Sequence, residues 1–337
     1  TFENAVWHTH AVYEALRQRP DVRPDLVVGH SGFASTLFLR ELYDCPVVNY
    51  FEYFYRPRGA DMDFRPDFPS LEIDRLRARA RNAMLLLDLD NCNLGYSPTT
   101  WQRDRLPALY HEKVRVVFDG VDTSLWRRVE GAPRRVAGRD IPAGTRIVTY
   151  VARGMESMRG FDIFMKMARL VCRRRRDVVF VVVGEDRVCY GGDHKVTGDK
   201  SFKNWVLAQD DYDLSRFIFT GLVPPAELAL LLSIADLHVY LTVPFVLSWS
   251  LMDALACGAT VLASDTAPVR EMIQHNQNGL LVNFFDVEAF AATAETVLDS
   301  PGDFAHLGRA GLDMIRGRYS LDVCLPQLLD LYQQAAS

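Results

Sequence analysis

The sequence predicts an α/β protein made of two open, doubly wound domains, and three observations predict it. Short apolar runs of strand length alternate along the chain with longer runs at helical spacing. At 337 residues the chain is long enough for about two domains, each able to bury its own core. The stretch LTVPFVLSWSLMDALACGATVLAS, residues 241–264, places a strand end, a helix start and a second strand around one anion-sized gap.

Taken in order, the chain opens on TFENAVWHTHAVYEALRQ, where Ala5, Val6, His10, Val12, Ala15 and Leu16 fall near helical spacing. A doubly wound domain ordinarily opens on a strand and has about six of them. The candidates before residue 145 lie at 26–29, 47–51, 93–96 and 114–118. The expectation is an N-terminal domain that is incomplete and lacks its first β-α unit or units. DLVVGHSGFASTLFLREL reads as a strand, a turn holding His30, Ser31 and Gly32, and a helix from about Ala34. His30 has two readings, a ligand group at a strand's carboxyl end or a polar residue bonding a neighbouring loop. The aromatic and charged segment 49–69 suits an acceptor-facing flap or a packed surface loop. Asp88-Leu89-Asp90 has the form of a metal-binding pair, but it follows an apolar helical run and precedes a core strand. Ser97 ends a strand ahead of a short helix, and the polar stretch after Asp119-Gly120-Val121-Asp122 sets a domain boundary near 130–145.

The second domain starts with a strand at 147–151 and a helix whose Phe161, Phe164, Met165, Ala168, Val171 and Cys172 share one face. Arg153 and Arg159 stand on the turn between them with Glu156, either as anion-binding cations or as a surface pair with that glutamate. A buried strand ends at Gly184, and a long loop from Tyr190 to Phe202 follows, with Lys195, Lys200 and Lys203 nearby and without assigned roles. A strand at 217–220 leads to Gly221-Leu222 and a helix over 225–235. After the strand 237–241, the helix 249–257 stops at Gly258, as a glycine just past a helix end should make it do. The first N–H groups of that helix, around Val246 to Ser250, lack helical partners and lie at the positive end of its dipole, which favours phosphate.

A net charge of −5 and a pI near 5.9 argue against a general polyanion binder. The run Arg173 to Arg176 ends a helix, where cations suit the dipole, and reads as a solvated cap rather than a nucleic-acid patch. Six cysteines without paired spacing suggest neither a zinc ribbon nor a disulfide framework and fit a reducing cytoplasm. No apolar run approaches the ~20 residues of a membrane span, which leaves peripheral membrane contact open.

The run PFVLSWSLMDALACGATVLASDTAPVREMI resembles the nucleotide-sugar signature of retaining family 4 glycosyltransferases, enzymes of GT-B architecture with two Rossmann-like domains. That pattern sets two glutamates eight positions apart, the first at donor-sugar hydroxyls and the second at the ribose. Asp253 takes the second position and Phe245 the first. A phenyl ring cannot accept from a hydroxyl, so donor-sugar recognition must differ. Glu271 resembles the family's further acidic residue at the nucleotide, and His30 its histidine near the donor sugar. Arg153 resembles its diphosphate arginine, Arg159 stands one place beyond its lysine, and Gly221 with Leu222 resembles the loop whose backbone meets the base.

The resemblance implies a catalytic set of His30, Arg153 and Arg159, and a donor set of Gly221, Leu222, Val246, Leu247, Ser248, Asp253 and Glu271. It implies transfer of a hexose from a nucleoside diphosphate sugar, a UDP-sugar being the commonest, with retention of configuration. No metal and no cofactor beyond that co-substrate is implied, and the acceptor is a glycan, lipid or small molecule of unknown identity. It also implies an acceptor-side domain over 1–140, a nucleotide-sugar domain over 141–312 and a final helix, 313–337, crossing back to the first. A nucleotide-sugar-binding protein without turnover and a nucleotide-sugar epimerase of the same fold remain as alternatives. No G-x-G-x-x-G follows any candidate strand, which argues against a dehydrogenase.

Overall fold

The computed structural model describes residues 2–33, 35–198 and 201–337, so the helix start expected at Ala34 and the side chain of Lys200 lie outside it. The chain divides into two compact units, residues 1–120 with 321–337, and residues 121–320.

In the first unit, α1 (Phe2–Arg17) precedes four parallel strands, β1 (Val27–His30), β2 (Val47–Tyr50), β3 (Leu94–Ser97) and β4 (Val114–Val116), hydrogen-bonded in the order β1-β2-β3-β4. The helices α2 (Glu72–Asn91) and α3 (Thr100–Arg103) lie on either side of β3 in sequence. A parallel sheet needs apolar cover on both faces. Val47 faces one side with Phe51, Phe54 and, from α2, Leu85 and Leu89. Its neighbour Val48 faces the other with Tyr96, Val117 and Leu331 of the C-terminal helix (Leu321–Ala336).

The expected helix after β1 is corrected by the structure. Among the described residues the chain makes a turn at 31–33 and a single 3₁₀ turn, Leu39–Glu41. The cause is side-chain bonding, mostly to residues distant in sequence, that holds the segment off a helical path. The hydroxyls of Ser31 and Ser35 donate to Asp88 at 2.6 and 2.7 Å, Thr36 donates to Asn49 at 3.1 Å, and the Leu37 N–H donates to Ser35 Oγ. Asp88 is thus a fully buried anchor of this segment, whereas Asp90 is exposed.

The second unit begins in the polar stretch with a small antiparallel hairpin, β5 (Arg135–Val136) and β6 (Arg139–Asp140). Six parallel strands follow: β7 (Arg146–Gly154), β8 (Val178–Glu185), β9 (Phe217–Gly221), β10 (Leu237–Tyr240), β11 (Val261–Ser264) and β12 (Leu280–Val282). Helices α4 (Phe161–Arg174), α5 (His194–Thr197), α6 (Phe202–Leu207), α7 (Pro225–Ile234), α8 (Trp249–Ala256), α9 (Ala267–Met272), α10 (Val287–Asp299) and α11 (Pro301–Met314) connect and follow them. The strand order β12-β11-β10-β7-β8-β9 winds outward in both directions from the pair β7 and β10. This is the doubly wound order, and its switch point, outside the carboxyl ends of β7 and β10, is where such sheets hold ligands. The arginines that close α4 are paired: Arg174 with Glu288 at 2.7 Å, and Arg175 with Asp177 and Asp299.

Candidate functional site

At the switch point, the turn from β7 to α4 is built inward from Glu156. Its buried carboxylate accepts at Oε2 from the backbone N–H groups of Cys189, Tyr190 and Gly191, at 3.0, 2.8 and 3.1 Å. Burial still holds its pKa above the usual carboxylate range, against the lowering effect of those bonds and of Arg159. Ser157 donates from its N–H, 2.7 Å, and from its hydroxyl to Asp193, which pins the same loop a second time. Two glycines permit the close approaches. A Cβ on Gly154 would strike the Arg187 carbonyl, and Gly160, with φ of +61°, would carry a Cβ only 2.8 Å from that of Leu241.

Arg159 therefore lies buried between two turns. Its Nη1 donates to Thr242 Oγ1 at 2.8 Å and to the Val246 carbonyl at 3.0 Å, both on the β10–α8 connection. The Val243 N–H donates to the Met158 carbonyl at 3.0 Å, joining the turns by backbone as well. The guanidinium packs over the rings of Tyr190 and Phe245, 5.3 and 5.7 Å from their centroids. Those rings are 5.4 Å apart. The surface pair between Arg159 and Glu156 is corrected, since both side chains are buried and Glu156 is engaged by loop amides. With Nη1 used inside the protein, Nε and Nη2 have no protein acceptor among the described residues and retain donors for an anion.

The helix start reads differently residue by residue. The Ser248 N–H donates to the Tyr240 hydroxyl at 2.8 Å, and Ser248 Oγ caps α8 by accepting from Ser250 N–H at 3.4 Å. The expected row of open amides from Val246 to Ser250 is corrected accordingly: Ser248 and Ser250 are bonded within the protein. Val246 and Leu247 keep N–H groups without a protein acceptor among the described residues. One turn into α8, the Asp253 carboxyl is buried and has no hydrogen-bond partner there either. Desolvation alone raises its pKa to about 8.

Arg153, at the end of β7, is exposed beside Tyr190, whose side chain raises its pKa. Tyr190 thus faces both arginines. The sequence offered only the Tyr190-Gly191-Gly192 loop as a signal for it, and Thr242 and Tyr240 gave none. Gly221, with φ of +69°, and Leu222, 68% exposed, sit at the carboxyl end of β9, two strands from β7 at the sheet edge. Glu271 lies half-buried on α9. Lys203 packs over Phe219, its Nζ 4.2 Å from the centroid, while Lys195 lies on α5.

In the first unit, His30 is the last residue of β1 and pairs in register with Tyr50, which pairs with Tyr96. The rings follow each other at 4.8 and 4.9 Å, and Phe33 stacks on His30 from outside at 4.8 Å. His30 Nε2 lies 3.6 Å from Glu52 Oε2, too long for a hydrogen bond, and burial lowers its pKa. The Tyr50 hydroxyl donates to Asp119 at 3.2 Å.

Residues 135–313 match the family described as Glycosyl transferases group 1, and residues 1–126 match the Glycosyl transferase family 4 group. The chain belongs to the group 1 glycosyltransferases. It is 27% identical over 70% of its length to 55% of D-inositol 3-phosphate glycosyltransferase of Thermobispora bispora. It is 26% identical over 68% of its length to 59% of alpha-maltose-1-phosphate synthase of Mycolicibacterium smegmatis. The chain spans about half the length of the curated relatives it matches. Its fold is that of sucrose-phosphate synthase from Thermosynechococcus elongatus, with a TM-score of 0.76, 20% identity and coverage of 100% of this chain and 79% of that one. It is also that of Anabaena HepE in complex with UDP-glucose, with a TM-score of 0.71, 15% identity and coverage of 92% and 79%. The chain thus has the GT-B α/β fold with two Rossmann-like domains. No helix among its described residues is long and apolar enough to cross a membrane.

Proposed function

We propose that the chain transfers a hexose from a UDP-sugar to an acceptor hydroxyl, with retention of configuration and without a metal ion. One observation carries the proposal: among the described residues, a buried guanidinium with spare donors stands on the β7–α4 turn, and two unpaired backbone N–H groups and an unpartnered buried carboxyl stand on the β10–α8 segment, the two segments that leave the switch-point strands. Breaking a sugar–phosphate bond leaves charge on the diphosphate, and donors fixed before the reaction favour that charged transition state. Arg159 holds its geometry through Thr242 and Val246, so it offers Nε and Nη2 without reorganising. The amides of Val246 and Leu247 suit the same oxygens. Asp253 suits the ribose diol, whose hydroxyls would supply the hydrogen bonds that its carboxyl lacks. Gly221 and Leu222 are the proposed base-side contacts, Glu271 a further group at the nucleotide, and Arg153 a second cation. The UDP complexes among the structural neighbours favour uridine as the base.

A second reading is a nucleotide-sugar-binding protein without turnover. It is favoured by Phe245, whose ring lies against Arg159 and Tyr190 and supplies no acceptor for sugar hydroxyls. Calorimetric titration with UDP and UDP-glucose, followed by assay of UDP release with candidate acceptors, separates the two. Binding with release supports transfer, binding without release under every acceptor supports the second reading, and absence of UDP binding sinks both.

A further inference from the structure

In the second unit, Tyr190 stands on a loop whose backbone is fixed while its side chain reaches solvent. The N–H groups of Cys189, Tyr190 and Gly191 all donate to Glu156 Oε2, which holds the loop in place. Tyr190 is 44% exposed, whereas Phe245, 5.4 Å away between ring centroids, is 8% exposed and supports it. Both rings pack against the Arg159 guanidinium, so a group bonded to Nε and Nη2 of that arginine has them as neighbours. The acceptors on the surrounding turns are engaged. Thr242 Oγ1 accepts from Arg159 and donates to the Val243 carbonyl at 3.0 Å, and the Val246 carbonyl accepts from Arg159. The Met158 carbonyl accepts from the Val243 N–H, and the Arg159 carbonyl from the Tyr150 hydroxyl at 2.8 Å. Glu156 Oε1 lacks a partner among the described residues, but that side chain is fully buried. The Tyr190 side chain is itself hydrogen-bonded to Arg153. A sugar hydroxyl turned toward this corner therefore meets ring carbon.

We propose, resting on the nucleotide-sugar reading above in either of its forms, that Tyr190, supported by Phe245, forms an apolar wall of the donor site that selects a deoxyhexose. Such a sugar presents a C–H or methyl edge where glucose presents a hydroxyl. Base, ribose, diphosphate and hexose follow one another in the donor. Along the segment after β10, Asp253, the amides of Leu247 and Val246, and Phe245 follow one another in the same direction. With the ribose at Asp253 and the diphosphate at the amides and Arg159, the hexose lies at Phe245 and Tyr190. Aromatic rings take the C–H face of a sugar through dispersion and buried area. A hydroxyl pressed on the same ring leaves water without gaining a partner, which lowers affinity about tenfold. Loss of that hydroxyl, or a methyl group in its place, removes the penalty and adds apolar contact.

Calorimetric titration of the full chain with UDP, UDP-glucose, its 3-, 4- and 6-deoxy analogues and UDP-N-acetylglucosamine tests this. UDP itself should bind, and one deoxy analogue should bind about tenfold more tightly than UDP-glucose. Tyr190→Leu keeps an apolar side chain and should preserve that preference. Tyr190→Gln brings an amide to the hexose and should cut the preference to about threefold or less. Each preference is a ratio within one variant, so a change in the hold on UDP cancels, and circular dichroism checks folding. If UDP does not bind, the nucleotide-sugar reading falls and this proposal with it. If UDP binds but no deoxy analogue is preferred to UDP-glucose, or UDP-N-acetylglucosamine surpasses them all, this proposal alone is overturned. Equal preferences in folded Tyr190→Leu and Tyr190→Gln would overturn it too, since the wall would then lie elsewhere.

Discussion

At the carboxyl edge of the six-stranded sheet the polar groups are ionisable and buried, whereas at the carboxyl edge of the four-stranded sheet they are aromatic and only partly covered. Glu156, Arg159 and Asp253 are each withdrawn from water, and among the described residues only the first two have protein partners that offset the cost. His30, Tyr50 and Tyr96 instead stack strand by strand, with Tyr332 of the C-terminal helix closing the row 6.4 Å from Tyr96. A buried charge fixes its neighbours, because moving them strands it in a medium of low dielectric constant. An aromatic row holds by area and tolerates small shifts. The contrast teaches that preorganisation for a charged ligand resides in the second unit, while the first offers a surface that can adjust.

The comparison breaks most readily at Arg159. Arg159→Met should lower the rate of UDP release by roughly 10²–10³-fold, the usual effect of removing a donor to a developing oxyanion. His30→Ala should fall well short of this in the same assay. Equal losses at the two positions would erase the distinction. Glu156→Ala strips the acceptor from three loop amides and should cost about 3 kcal/mol of stability in denaturant titration. An unchanged midpoint would mean the loop re-forms without it.

Asp253 sharpens the comparison through pH. Its folded pKa of about 8 stands above the unfolded value of 3.8, so between those values the native state holds a proton that the unfolded chain has released. Stability attributable to this group is therefore greatest at low pH and is lost as pH rises through the window. Asp253→Asn should flatten that slope and raise the melting temperature near pH 8 by ~2–4 °C, while weakening UDP about tenfold. UDP binding to the parent near pH 7 should release a proton, read as a calorimetric heat that changes with the buffer's ionisation enthalpy. A heat independent of buffer would remove Asp253 from the ribose. The smallest effect belongs to the first unit: Tyr50→Phe leaves Asp119 without its donor and should cost about 1–2 kcal/mol. Its UDP affinity should be unchanged.

How much of this was legible varies by residue. The strand at β10, the start of α8 and the stop at Gly258 could all be read from the sequence, since each follows from local apolar runs and capping chemistry. Arg153 and Arg159 looked alike in the sequence, on one turn and with one charge. Folding separates them into an exposed side chain and a buried one, because only Arg159 meets Thr242 and Val246 from a segment more than eighty residues away. Ser31 appeared as a turn residue and Ser35 as part of the helix expected from about Ala34. Their bonds to Asp88, from a helix over fifty residues further on, replaced that helix with a short turn.

The sequence by itself determined the alternation of strands and helices, the helix face that seals each sheet, and the residue types at the strand ends, because apolar periodicity and turn chemistry act between near neighbours. Only the tertiary structure decided which amides stay unpaired, which arginine is desolvated, and that Asp253 remains a carboxyl without a partner among the described residues. Those outcomes depend on which polar groups arrive from distant segments, and the pairing of buried polar groups is settled by packing rather than by local propensity.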